Sequence, residues 1–243
     1  MSEKDIILKV EDLQVHYGDF LAIEKLSMSV KKGTITTIIG ATGAGKSTLL
    51  DTVMGINKPT KGKVTFCGED ITGMRTSAIV QKGLTMAPEG SLVFEGMSVK
   101  ENLLMGAYVP TSRKKKDDLM EKVYTLFPVL KEKEKQLATF LSGGQRQMLA
   151  IARAIMADPK LIICDEISLG LAPVVINDIF DRVKEINQTG MTFLIVDQEV
   201  QRSIDNSHYS FVMVKGNMVM EGVPSELPID EVKDAFFGMN KYA

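Results

Sequence analysis

Gly40-Ala41-Thr42-Gly43-Ala44-Gly45-Lys46-Ser47-Thr48 fits the spacing G-x-x-x-x-G-K-[ST], and the reading of this stretch decides the fold. Glycines let the backbone curl so that successive N–H groups of Gly40 to Gly45 point inward at phosphate oxygens. Lys46 then supplies a mobile cation for β- and γ-phosphates, and the Ser47 hydroxyl is a ligand for Mg²⁺. The flanks agree. Thr34 to Ile39 is a β-branched run that reads as a buried strand, and Ser47 to Met54 reads as the helix after it. A helix beginning there turns its free N–H groups and positive dipole end towards the anion.

Upstream, residues 6–39 alternate apolar and polar positions around turns at Gly18-Asp19 and Lys32-Gly33, which predicts several antiparallel strands leading into the loop. Tyr17 ends one of them. Its ring could stack on a nucleotide base or simply pack. Downstream, Lys61 to Gly68 and Gly83 to Gly90 read as further strands, the second stopped by Pro88. From about residue 90 to 158 the signals turn helical. Ser98 with Glu101, and Ser142 with Gln145, are capping boxes. The helix after Ser98 is expected to stop near Pro110, and Pro128 to shorten or kink the next one. Gly143 and Gly144 make the Ser142 helix start an anion seat as well as a cap. Strand signals return at Leu161 to Cys164 and Thr192 to Val196, with a helix from Pro173 to Gly190 between them. A hairpin around Lys215-Gly216-Asn217 and an amphipathic helix from about Glu231 to Met239 close the chain.

The composition narrows the function classes. A net charge of −2 over 243 residues lacks the basic excess of a broad nucleic-acid binder. The basic run Arg113 to Lys116 is met at once by Asp117-Asp118 and reads as a solvated helix start. Cys67 and Cys164 lie in apolar, strand-like runs without metal-ligand spacing, which fits a reducing compartment. No apolar run is long enough to span a bilayer, and the first residues lack the apolar stretch of a signal peptide, so a cytoplasmic protein is expected.

Hydrolysis of a bound triphosphate needs more than a phosphate loop: a held Mg²⁺ and a group that orients water. Asp165-Glu166, at the end of the Leu161 strand, offers both. Asp165 can hold the metal through water, and Glu166 can act on the attacking water as general base.

GATGAGKST, LSGGQRQ and LIICDE, in that order across a helical insert, resemble the nucleotide-binding subunit of an ATP-binding-cassette (ABC) transporter over essentially the whole chain. The resemblance implies one ABC ATPase domain over residues 1–243. It is an α/β fold: a P-loop NTPase (RecA-like) core at 1–89 and 159–243, with an N-terminal antiparallel β subdomain and an inserted α-helical signature subdomain at 90–158. It implies ATP and Mg²⁺ as cofactors, and a head-to-tail pair in which Ser142, Gly143, Gly144 and Gln145 of one subunit seat the γ-phosphate held by the other's Lys46. It places Tyr17 where the family stacks adenine, and adds Glu89 and Gln198 as metal-binding and catalytic positions. The implied partners are membrane permease subunits and a second ATPase subunit, identical or related, at the cytoplasmic face of the plasma (inner) membrane.

Five positions depart from the usual family pattern: Thr42 for Asn, Glu89 for Gln, Ile167 for Pro, Ala172 for Asp and Gln198 for His. Several of them, with S-L-G-L-A-P at Ser168 to Pro173, resemble the smaller ATPase of branched-chain amino-acid importers and their relatives for urea or short amides. Gln198 cannot become cationic, which leaves Glu166 as the base. The rival reading is a soluble ABC-type ATPase acting as a regulatory or mechanical switch, which usually carries two cassettes or a long coiled coil.

Overall fold

The computed structural model describes residues 5–237. Strands β1 (Ile6–Tyr17) and β2 (Phe20–Lys31) form an antiparallel hairpin across the Gly18-Asp19 turn. Strand β3 (Ile35–Ile39) does not continue it. The expectation that residues 6–39 form one antiparallel set fails at this strand, which is buried at every position and pairs in parallel with two distant strands. A strand with no polar face must be covered on both sides, as in a parallel α/β sheet.

Helix α1 (Lys46–Val53) follows the phosphate loop. Strands β4 (Lys61–Phe66) and β5 (Glu69–Asp70) then complete the antiparallel sheet in the order β2-β1-β4-β5. The short helix α2 (Thr76–Gln81), for which the sequence reading has no counterpart, leads into β6 (Leu84–Ala87).

Between β6 and the next strand the regular elements are helices: α3 (Val99–Gly106), α4 (Pro110–Arg113), α5 (Lys116–Leu126), α6 (Pro128–Glu132) and α7 (Gly143–Ile155). Helix α3 ends at Gly106, before Pro110, and Pro110 and Pro128 each open a new helix rather than only closing the old one. A missing N–H costs nothing in a first turn. Both predicted capping boxes form, at Ser98 and at Ser142. Lys115 does not serve the α5 start alone, because its ammonium pairs with Asp158 at 2.6 Å.

The core resumes with β7 (Leu161–Asp165), α8 (Pro173–Gln188), β8 (Thr192–Asp197), α9 (Val200–Asp205), β9 (Tyr209–Val214), β10 (Asn217–Gly222) and α10 (Ile229–Phe236). The predicted end of the last helix, Met239, lies outside the described residues. The second sheet runs β10-β9-β3-β8-β7-β6, parallel except for β10. Alternation along its central strands divides the core. Ile162, Cys164, Phe193 and Ile195 pack with the helical segment, while Leu161, Ile163, Leu194 and Val196 pack with α1 and the antiparallel sheet. The loops that follow β3, β7 and β8 therefore leave one edge of one rigid sheet side by side, where a ligand is expected in an open α/β fold.

Candidate nucleotide site

Gly45 is the N-cap of helix α1; it is in the left-handed region (φ 101°) and makes no side-chain cap. The backbone shape there requires glycine, since a Cβ would be strained at this φ, while the nearest atom it would meet is the movable Met213 Cε at 2.9 Å. The first N–H groups of α1 consequently face the cavity without a competing side chain. Lys46, only 4% exposed, donates from Nζ to the carbonyls of Gly40 at 2.7 Å and Ala41 at 3.0 Å. The same ammonium lies 3.5 Å from Glu166 Oε1. The loop is braced from outside by the β9–β10 turn, where Gly216 N–H donates to Ala44 O at 2.8 Å.

Glu166 sits just past β7 at φ 48°, a left-handed conformation costing about 1–3 kcal/mol for a non-glycine residue. Its N–H is held by Val196 O at 2.9 Å. Gln198 Nε2 donates to Glu166 Oε1 at 2.6 Å, and the Thr42 hydroxyl donates to Gln198 Oε1 at 3.2 Å. Two of the five departures from the family pattern thus touch each other. Asp197 Oδ1 ties the surrounding loops together by accepting from Ser168 Oγ at 2.8 Å, Gln198 N–H at 2.7 Å and Glu199 N–H at 3.2 Å.

Asp165 is 6% exposed, and its Oδ1 is buried without a hydrogen-bond partner. Burial, with the charges of Glu166 and Glu89 nearby, pushes its carboxyl up to about 6, against the opposing pull of Lys46. A buried carboxylate with a free oxygen, together with the Ser47 hydroxyl and the Glu89 carboxylate at the cavity, offers the hard-oxygen donors that suit Mg²⁺.

One cavity of about 870 Å³ is lined by Tyr17, Thr42, Gly43, Gly45, Lys46, Ser47, Thr48, Glu89, Glu166 and Gln198, while Asp165 lies outside its lining. Tyr17 stands at its mouth, half-exposed, with its hydroxyl accepting from Asn57 Nδ2 at 2.6 Å. Sequence reasoning missed Phe20, Leu21, Leu169 and Lys215, which also line it. Phe20 had a readable signal: it faces Tyr17 directly across a two-residue turn. Lys215 had none, because only packing brings the β9–β10 turn to the loop. Ser142, Gly143, Gly144 and Gln145 do not line this cavity. Ser142 Oγ instead accepts from Gln145 N–H at 3.3 Å, and Gln145 Oε1 accepts from Ser142 N–H at 3.1 Å. Ile167 is fully buried among the helices, and Ala172 precedes α8 without offering it a side-chain cap.

Residues 23–168 match the ABC transporter family. This chain belongs to that family. The cassette is 40% identical to the high-affinity branched-chain amino acid transport ATP-binding protein BraG of Pseudomonas aeruginosa, across 96% of this chain and 100% of that protein. It is 33% identical to the probable branched-chain amino acid transport ATP-binding protein LivG of Methanocaldococcus jannaschii, across 89% of each. A crystal structure of an ATP-binding cassette of an ABC transporter in its ADP conformation superposes with a TM-score of 0.81 at 32% identity, over 96% of this chain and 95% of that one. The P-loop NTPase architecture, with its antiparallel β layer and helical segment, is therefore that of an ABC ATPase.

Proposed function

We propose that this cassette is the ATP-hydrolysing subunit of an importer for branched-chain amino acids or related small polar solutes. The observation that carries the ATPase reading is the meeting of Lys46, Glu166 and Gln198 at the wall of the cavity formed by the phosphate loop. The solute class rests on the full-length likeness to BraG.

The loop N–H groups and Lys46 grip the β- and γ-phosphates, and Tyr17 stacks on the adenine. Ser47, Asp165 and Glu89 would hold Mg²⁺, which when bound neutralises charge building up on the phosphates. Glu166 takes the proton of the attacking water; Gln198, unable to ionise, orients that carboxylate and donates to the γ-phosphate. A triphosphate entering the loop competes with the Gly40 and Ala41 carbonyls and with Glu166 for Lys46, so occupancy releases the base from its ion pair.

Ser142 to Gln145 would complete the site from a second ATPase subunit, identical or related, docked head to tail. The permease subunits would dock in the apolar groove of about 860 Å³ between core and helices, lined by Met54, Val80, Phe94, Met105, Tyr108 and Arg153. Adjacent residues connect the two cavities: Pro88 lines the groove and Glu89 the nucleotide site. In this reading the cassette sits peripherally at the cytoplasmic face, supported by its likeness to a transport ATP-binding protein; no described helix is long and apolar enough to cross a membrane. The rival reading, a regulatory or mechanical switch, is not favoured: BraG and LivG are both described as transport proteins.

Reconstitution in vesicles with its membrane subunits tests the proposal. ATP-driven uptake of leucine, lost in Glu166→Gln, is the expected result. Uptake of urea or short amides alone would move the solute class, and absence of any ATP-driven uptake would remove the importer reading.

A further inference from the structure

The Gln198 side chain is gripped at both ends of its amide. Nε2–H donates to Glu166 Oε1 at 2.6 Å, while Oε1 accepts from the Thr42 hydroxyl at 3.2 Å. The backbone of Gln198 is fixed separately, by Asp197 Oδ1 at 2.7 Å. Glutamine has three side-chain torsions, and the rotamer entropy lost on freezing them offsets much of the gain even from a hydrogen bond to a carboxylate. The bond to Glu166 holds only one end of the amide. A second bond holds the opposite end.

Thr42 has no competing structural duty. Its side chain is exposed rather than packed in the core, and the neighbouring Gly43 opens onto free space. We propose that Thr42 is a positioning residue for hydrolysis: its hydroxyl tethers the Gln198 amide to the phosphate loop, and through that amide holds the Glu166 carboxylate facing the cavity. Three segments far apart in sequence, the phosphate loop and the ends of β7 and β8, are joined by this chain of hydrogen bonds. The state of the loop is thereby passed to the base. This inference rests on the ATPase reading above.

If Thr42 instead served to bind a phosphate, its loss would weaken nucleotide affinity and leave the chemical step alone. Positioning predicts the reverse. Phosphate release by the full chain, with ATP affinity measured by direct titration, separates the two. Thr42→Val should lower kcat about three- to tenfold, the share of one neutral hydrogen bond. Its ATP dissociation constant should stay within about twofold of the wild type. Thr42→Ser, which keeps the hydroxyl, should restore most of kcat. In a Gln198→Ala background Thr42→Val should cost nothing further, because both act through the same amide.

An unchanged kcat in Thr42→Val, a loss of ATP affinity equal to the loss of kcat, or losses that multiply with Gln198→Ala would each overturn the inference. Glu166→Gln run alongside keeps the two readings distinguishable. Wild-type hydrolysis abolished by Glu166→Gln with Thr42→Val indifferent removes the tether alone; no wild-type hydrolysis sensitive to Glu166→Gln removes both.

Discussion

Two glycine-flanked helix starts, at α1 and at α7, are used in opposite ways. Gly45 before α1 offers no side-chain cap, and the first turn opens onto the nucleotide cavity. Ser142 before α7 closes a complete capping box with Gln145, and its turn lies outside that cavity. The glycines differ in the same sense. Gly45 is needed for a left-handed backbone, whereas Gly144 is needed for packing, since a Cβ there would sit 2.2 Å from Val175 Cγ1. One helix start is a finished half-site held ready within the chain. The other is self-satisfied, its first turn already closed by its own capping box.

The largest expected effect tests the finished half. Glu166→Gln should keep ATP binding and reduce phosphate release by about 10²–10⁴, the range for a lost general base. Retained turnover would move the chemistry elsewhere. The same variant sharpens the contrast, because ATP that cannot be hydrolysed should hold two cassettes together, seen as an ATP-dependent doubling of mass in sedimentation.

Lys46→Ala should weaken ATP binding by roughly 1.5–3 kcal/mol, the worth of a charge-assisted hydrogen bond, in a direct titration. Unchanged affinity would break the claim that this helix start is the preformed one.

At the other start, Gly144→Ala should destabilise the fold by about 1–3 kcal/mol through overpacking against Val175, read as a lower denaturation midpoint. Gly143→Ala, whose Cβ would meet only the tip of the Leu171 side chain at 3.1 Å, should cost less. Equal losses would mean that α8 does not fix the spacing.

Smallest is Ser142→Ala, at about 1 kcal/mol of stability for a lost N-cap. Its ATP affinity as a single chain should be unchanged. In the Glu166→Gln background it should weaken ATP-dependent pairing, and pairing at wild-type strength would leave α7 with a structural role only.

Much of the fold was legible. Periodicity placed the helical segment and the hydrophobic strands, and two capping boxes were read correctly at Ser98 and Ser142. The failures have two causes. The partner of β3 depends on strands distant in sequence, about which local pattern carries no information, whereas Pro110 and Pro128 act locally as first-turn residues as well as helix stops. The site divides the same way. Lys46, Ser47, Asp165 and Glu166 stand in patterns whose spacing is itself chemical, whereas Leu169 and Lys215 reach the cavity only through packing.

The sequence by itself determined the phosphate loop, the carboxylate pair and the self-capped start of α7, because each depends on residues within one turn or one strand of each other. Only the tertiary structure decided that Thr42, Gln198, Glu166 and Lys46 form one connected set. Parallel pairing aligns the ends of β3, β7 and β8 along one edge, and that alignment brings into contact groups that the chain holds more than a hundred residues apart.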